Sequence, residues 1–362
     1  MLLRRSYSFI AKTNVVKEGS NRSLLFVYSS TSSGIYYDYG RRIGLMRHES
    51  ELIEFLKGKG DSRADHRIIL GTHSGEFHAD ELLATAVLTT ELRKFAGANR
   101  YRYDIRVYRS RDLNYLNNAC DLVYDIGNGK YDHHSADQVY YPNGIPMASC
   151  GKILNDVILD ADIAEGLRRK LFYAVEANDN GAPLPDYLES SQLAFVGAFN
   201  QRWDEEWTGR QTRDHFNNVL NIVEVIYERI YKSVLSDIAA KAQLEKFSTF
   251  MHDGKFLVLD RYCPYHEYAR THPELIAVVY PKDHQWMIRM SPTFKRKYET
   301  RYLFPREWAG LSDSALRDIS GVPSIRFCHR ALFLTTCNTK EGALEVCKIV
   351  LKKLNESGGL QK

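Results

Sequence analysis

Twice in the first half of this chain a short apolar run stops abruptly, and a cluster of histidines and aspartates follows. Arg67-Ile-Ile-Leu70 is closed by Gly71 and leads into the polar stretch from Thr72 to Glu81. Asp121-Leu-Val-Tyr-Asp125-Ile126 stops at Gly127, and Asp132, His133 and His134 follow. Short apolar runs bounded by turn residues read as buried strands. Between them, residues 82–95 carry apolar residues at helical spacing, Tyr103 to Tyr108 alternates as a second strand, and Arg111 to Asn118 suits a short helix. Strands alternating with helices predict a parallel sheet and an α/β fold. In such sheets ligands bind beyond the carboxyl ends of the strands, where both clusters fall.

Folded sequence is expected from Glu49, with a short helix ending at Gly58 and Gly60. Residues 163–177 predict a helix that stops at the turn residues around Asn180 and Gly181. Residues 212–250 contain neither Gly nor Pro, and Phe216, Val219, Leu220, Val223, Ile226, Ile230, Val234 and Ile238 recur at spacings of three or four. That is a long helix, suited to join two domains. Beyond it come short β-like runs at 256–259, 276–280, 286–290 and 325–327, then an amphipathic helix over 341–354. The expected organisation is an α/β metal-binding domain at 49–211, a helical connector at 212–252 and a smaller α+β substrate-binding domain at 253–362.

The net charge of +4 invites a nucleic-acid reading, but the surplus sits at the start of the chain. Residues 1–48 hold eight Lys and Arg against Glu18 and Asp38, and the remainder is slightly acidic. An acid-poor start containing Arg and Ser reads as a mitochondrial targeting leader. The six cysteines are scattered without a CxxC pair, which suits a reducing compartment and gives no support to a zinc ribbon. No apolar run reaches the roughly 18 residues of a membrane span. Trp203 and Trp207, among acidic residues, read as core anchors.

His73, His78 and Asp80 share one loop, Asp125 ends a strand, Asp132, His133 and His134 follow, and Asp179 sits in a loop after a helix. Imidazole with carboxylate suits Mn, Fe or Zn, and several carboxylates suit a two-metal site that activates a water. A plainer reading makes each His a surface residue, and Asp80 and Asp179 helix caps. Residue types and spacing alone point to a dinuclear metal hydrolase.

The stretches 71–88, 120–134 and 176–181 resemble the motif series of the DHH phosphoesterase superfamily. They resemble more closely its melanocyte proliferating gene protein family, metal-dependent 3′–5′ RNA exonucleases of mitochondria and nucleus. The similarity continues through 263–267, 286–289, 304–323 and 340–344. It implies a DHH-type parallel-sheet domain and two divalent ions, with Mn expected. His73, His78, Asp80, Asp125, His133 and Asp179 would be ligands, with Asp125 bridging. Asp132 would orient a neighbouring imidazole, and His134 would face the scissile phosphate. Arg109 and Arg111 would touch phosphate or hold the loop, the alternative being a pairing with Asp112. The chain departs from the family pattern at Ala79, in the short link from Gly127 to Asp132, and after His134. It departs again at Thr335-Thr-Cys-Asn338, where a Gly-Gly-His substrate loop is expected.

Residues 289–306 interleave Arg289, Lys295, Arg296, Lys297, Arg301 and Arg306 with four aromatics. Cations beside stacking rings suit single-stranded RNA, and a loop with its rings turned inward is the alternative. Two other functions remain open: a non-catalytic subunit of a mitochondrial ribonucleoprotein, and a hydrolase of small phosphoanhydrides or dinucleotides.

Overall fold

Ser50 caps the first helix, α1 (Glu51–Asp61), by accepting the Ile53 N–H at 3.2 Å. The computed structural model describes residues 50–96, 103–135, 137–185, 191–247, 249–251, 254–293 and 299–356. The expected leader, 1–48, lies outside the described residues, as do Lys295, Arg296 and Lys297.

The first sheet is parallel, in the order β2-β1-β3, from β1 (Arg67–Thr72), β2 (Asp104–Arg109) and β3 (Leu122–Val123). Ile68 and Leu70 are fully buried. Gly71 is needed because a Cβ there would sit 2.8 Å from Cys120 Sγ. The third strand is shorter than expected. Asp121 and Tyr124 still donate their N–H groups to Ile69 and Gly71, but Asp125 turns out of the sheet with φ 59. A short polar side chain tolerates that left-handed conformation better than most.

Helix α2 (Ala79–Ala96) is buried on all sides from Asp80 to Leu92. Its polar residues therefore need partners. Thr89 donates to Glu224 at 2.6 Å, and Glu91 accepts from Tyr227 at 3.4 Å. After α3 (Leu113–Ala119), capped by Asp112, comes α4 (Ser149–Val157). The helix expected at 163–177 extends further at both ends, as α5 (Ala161–Leu167), a π turn (Arg168–Phe172) and α6 (Tyr173–Asp179).

The long helix is α7 (Gly209–Phe247), which packs on α2 and α5. Its buried stripe uses Tyr227 and Tyr231, whereas Ile226 and Ile230 are only half-buried. The helix ends before 250, because β4 (Thr249–Met251) pairs antiparallel with β5 (Phe256–Val258). These strands open a six-stranded mixed sheet, β4-β5-β6-β7-β9-β8. Its other strands are β6 (Ala277–Lys282), β7 (Gln285–Met290), β8 (Ile325–Cys328) and β9 (Leu334–Cys337). Helices α8 (His266–Thr271), α9 (Asp313–Ser320) and α10 (Lys340–Glu356) complete it. The fold is α/β, with a parallel three-stranded sheet and a second, mixed sheet.

Two expectations fail here. Thr335, Thr336 and Cys337 are not in a loop but in β9, buried between β7 and β8. Trp203 is no core anchor; it is 97% exposed. Its neighbour Arg202 is drawn into ion pairs with Asp204 and Glu205, so the segment turns along the surface. Trp207 stacks flat on His215, with centroids 4.1 Å apart.

Candidate metal centre

The loop after β1 begins with His73 and ends with His78, which precedes α2. Glu81 accepts the His78 backbone N–H on both oxygens at 2.8 Å. This is half of a capping box, in which the third helical residue reaches back to the cap. Buried Glu81 also lies 3.5 Å from Nε2 of His73. The sequence reading missed it, although an acid three residues after a helix cap is a legible signal.

Three left-handed residues, Asp125, Gly127 and Asn128, fold the second loop tightly. Asp125 N–H donates to Tyr131 O at 3.0 Å, and Asn128 N–H to Asp132 Oδ2 at 2.6 Å. The chain is thereby returned so that His133 faces Asp125. Asp125 Oδ2 lies 3.3 Å from His73 Nε2, and its Oδ1 lies 3.3 Å from His133 Nδ1. On the other side of His133, Nε2 is 3.0 Å from Asp179 Oδ2 at the end of α6. Asp179 Oδ1 in turn lies 3.8 Å from His78 Nδ1. Imidazoles and carboxylates alternate along this chain of donors.

Asp80 sits behind His133, 3.7 Å from Nδ1. Its two oxygens accept the Ser149 and Cys150 N–H groups at 3.1 and 2.8 Å. It therefore serves as a cap for α4, whose own N-cap residue supplies no side-chain bond. Ser149, also missed, donates its hydroxyl to Asp125 Oδ1 at 3.1 Å. His134 is more than half exposed and donates Nδ1–H to Asp132 at 2.6 Å.

The electrostatics follow from crowding. Burial opposes protonation of His73 and His133, but Asp125 with Glu81, and Asp125 with Asp179, outweigh it and raise both imidazoles to about 10. Burial also works against ionising Asp125, yet His133 and His73 hold its carboxyl well below the usual range. Burial, then Asp125 and Asp179, push Asp80 well above it. Without a cation, protons must neutralise this cluster.

That donor set fits divalent cations. Donors sharing an ion at about 2.0–2.2 Å stand roughly 3 Å apart, and the His–Asp separations here begin at 3.0 Å. Three groups of candidate ligands converge: Asp125, Asp132, His133 and His134; His73, His78 and Glu81; and Asp80, His133 and Asp179. A cavity of about 230 Å³ opens onto His73, His78, Asp125, Asp132, His134 and Arg111.

The two arginines divide their work. Arg111 lines this cavity and donates Nε–H to Ser74 O at 3.1 Å. Arg109 does not line it. Its guanidinium lies over Phe216 and Phe77, 4.7 and 5.4 Å from the ring centroids, and bonds the carbonyls of Gly75 and Glu76. It holds the loop, and Asp112 caps α3 instead of pairing with either arginine.

A family model described as "MYG1_exonuc: Uncharacterised protein family (UPF0160)" matches residues 69–351, which contain every one of these side chains. The chain belongs to the MYG1 exonuclease family. The MYG1 protein of Chlamydia trachomatis is 29% identical over 301 residues, covering 78% of this chain and 96% of that one. The human MYG1 exonuclease is 27% identical over 331 residues, covering 78% and 85%. Among solved structures, RecJ from Thermus thermophilus with Mn2+ matches at a TM-score of 0.23 and 11% identity. That alignment covers 84% of this chain and 54% of RecJ.

Proposed function

We propose that this MYG1-family chain is a dinuclear-metal phosphodiesterase, a 3′–5′ RNA exonuclease acting in mitochondria. The observation that carries the reading is Asp125, whose two oxygens face different imidazoles at 3.3 Å. A carboxylate so placed suits a bridge between two ions. His73 with Glu81 and His78 would complete one side, and His133 with Asp179 and Asp80 the other. Bound Mn or another divalent ion would supply a hydroxide nucleophile and offset charge on the phosphoryl oxygens. The relatives called MYG1 exonuclease support a nuclease, and the acid-poor leader supports the compartment.

The chain's own residues do the rest. Arg111 lines the cavity, where a guanidinium suits a phosphate through paired hydrogen bonds. Asp132 fixes the His134 tautomer by taking its Nδ1–H, which leaves Nε2 free to exchange a proton with the leaving oxygen. Arg109 keeps the 73–78 loop in place from behind. The cavity measures only about 230 Å³, room for a chain end or a small substrate, so the second reading is a hydrolase of dinucleotides. Rates on a single-stranded RNA and on a dinucleotide, with Mn and with EDTA, separate the two. Asp125→Ala and His133→Ala should abolish hydrolysis, and unchanged activity in either would overturn the reading.

A further inference from the structure

A second, larger cavity lies on the other side of the 73–78 loop. It encloses about 1360 Å³ between β2, the first half of α7 and the 200–208 segment. Ser74, Gly75, Glu76 and Phe77 form its wall toward the metal centre, while His73 and His78 at the loop ends line the metal cavity. Four residues separate the two spaces.

The lining of this larger cavity is aromatic and cationic. Tyr108 and Tyr115 stack with centroids 6.1 Å apart and planes 9° apart, and Tyr115 is half-exposed. Trp203 also lines the cavity and is almost wholly exposed. Arg106, Arg202 and Arg213 also line it; Arg106 pairs with Asp104 at 2.8 Å, and Arg202 with Asp204 and Glu205 at 3.1 Å. The acids in the lining are largely taken: Glu224 by Arg93 at 2.6 Å, and Glu205 by Arg202 at 3.1 Å. Arg213 has no ion pair among the described residues. Ring faces that stack bases, with guanidinium groups that follow phosphates, are what a single strand needs.

The loop also offers a crossing. Gly75 has φ +108 and no side chain, and a Cβ there would lie 3.6 Å from Arg111 Nη2. A strand passing over Gly75 would leave the larger cavity beside Arg111, which lines the smaller one.

We infer that the larger cavity receives the body of a single-stranded RNA whose terminal nucleotide occupies the metal centre. Bases stack on Tyr108, Tyr115 and Trp203, and the backbone crosses at Gly75. This rests on the nuclease reading and extends it to the substrate's path.

The test uses the full chain. Anisotropy of a labelled 20-nucleotide single-stranded RNA in EDTA measures binding without turnover. Trp203→Ala and Arg213→Ala, both in exposed positions, should each raise Kd, the former about tenfold, within the range of one base–aromatic stack. With Mn, the ratio of KM for a dinucleotide to KM for the 20-mer should fall by the same factor in Trp203→Ala. Wild-type affinity in both variants, or equal changes on both substrates, overturns the inference. Failure of the nuclease reading shows separately, as absence of metal-dependent hydrolysis in the wild type, and the EDTA measurement still decides the cavity.

Discussion

Asp125 Oδ1 lies 3.3 Å from His133 Nδ1, while the other oxygen of the same carboxylate lies equally far from His73. One carboxylate thus serves two imidazoles carried by different loops. Asp125→Asn keeps the shape and removes the charge. Turnover with divalent ions should drop by at least about a hundredfold, above the usual effect of outer-shell changes. Circular dichroism should remain native. Loss of less than threefold would show that Asp125 holds no ion.

Metal binding should release protons. His73 and His133 are raised to about 10 in the metal-free cluster, so both are protonated at pH 7.5. A cation needs them neutral. Binding near neutral pH should therefore release about two protons from these imidazoles, plus any held by Asp80, and affinity should rise with pH toward 10. Calorimetry in buffers of different ionisation enthalpy measures the number. By the same sign, the stability these imidazoliums give the metal-free protein is full below the unfolded value near 6.5 and is lost as pH rises through about 10.

Arg63 clamps the start of β3 by giving both Nη groups to Asp121 at 2.7 Å, and Ile69 N–H adds a third bond at 2.8 Å. Burial resists ionisation of Asp121, but Arg63 and Ile69 outweigh it and lower its pKa. Asp121→Ala should cost about 1.5–3 kcal/mol, the range for hydrogen bonds to charged groups. A depressed carboxyl stabilises above its unfolded value near 3.9, and that contribution disappears as pH falls through the folded value. Urea denaturation between pH 6 and 3 should show the wild type losing its advantage over the variant.

Glu176 is fully buried, and burial raises its carboxyl well above the usual range. It accepts Ala148 N–H at 2.9 Å, beside the N–H groups that hold Asp80. Glu176→Gln keeps the shape and the acceptor for Ala148 N–H, and should change stability by less than about 1.5 kcal/mol, as a volume-conserving swap. A Cβ on Gly151 would lie 1.9 Å from Glu176 Oε1 and 2.4 Å from Tyr141 Oη. Gly151→Ala should therefore cost about 1–3 kcal/mol by overpacking and weaken metal binding. Thermal melts and metal titration of the two variants check this.

Local pattern carried much of the fold. The apolar run at 67–70, the helical spacing over 82–95 and the uninterrupted stretch over 212–247 are each legible without tertiary contacts. The ends were less so. Asp125 leaves the strand early because its φ of 59 is set by the return of Asp132. Residues 249–251 leave the helix because β5 lies ready to pair. Trp203 has the hydrophobic character of a core residue and finds no core to enter.

The sequence by itself determined the donor types and their grouping. His73, His78 and Glu81 lie within one loop and turn, and Asp132, His133 and His134 are consecutive. Short-range turn and capping chemistry is written in neighbouring residues. Only the tertiary structure decided which donors meet. His133 reaches Asp179, 46 residues away, and Ser149 reaches Asp80 across 69. Those meetings depend on how α2, α4 and α6 pack, and packing is a property of volumes summed over the whole core. The same packing turned Arg109 inward over Phe77 and Phe216 and left Arg111 lining the metal cavity, although only Ser110 separates the two.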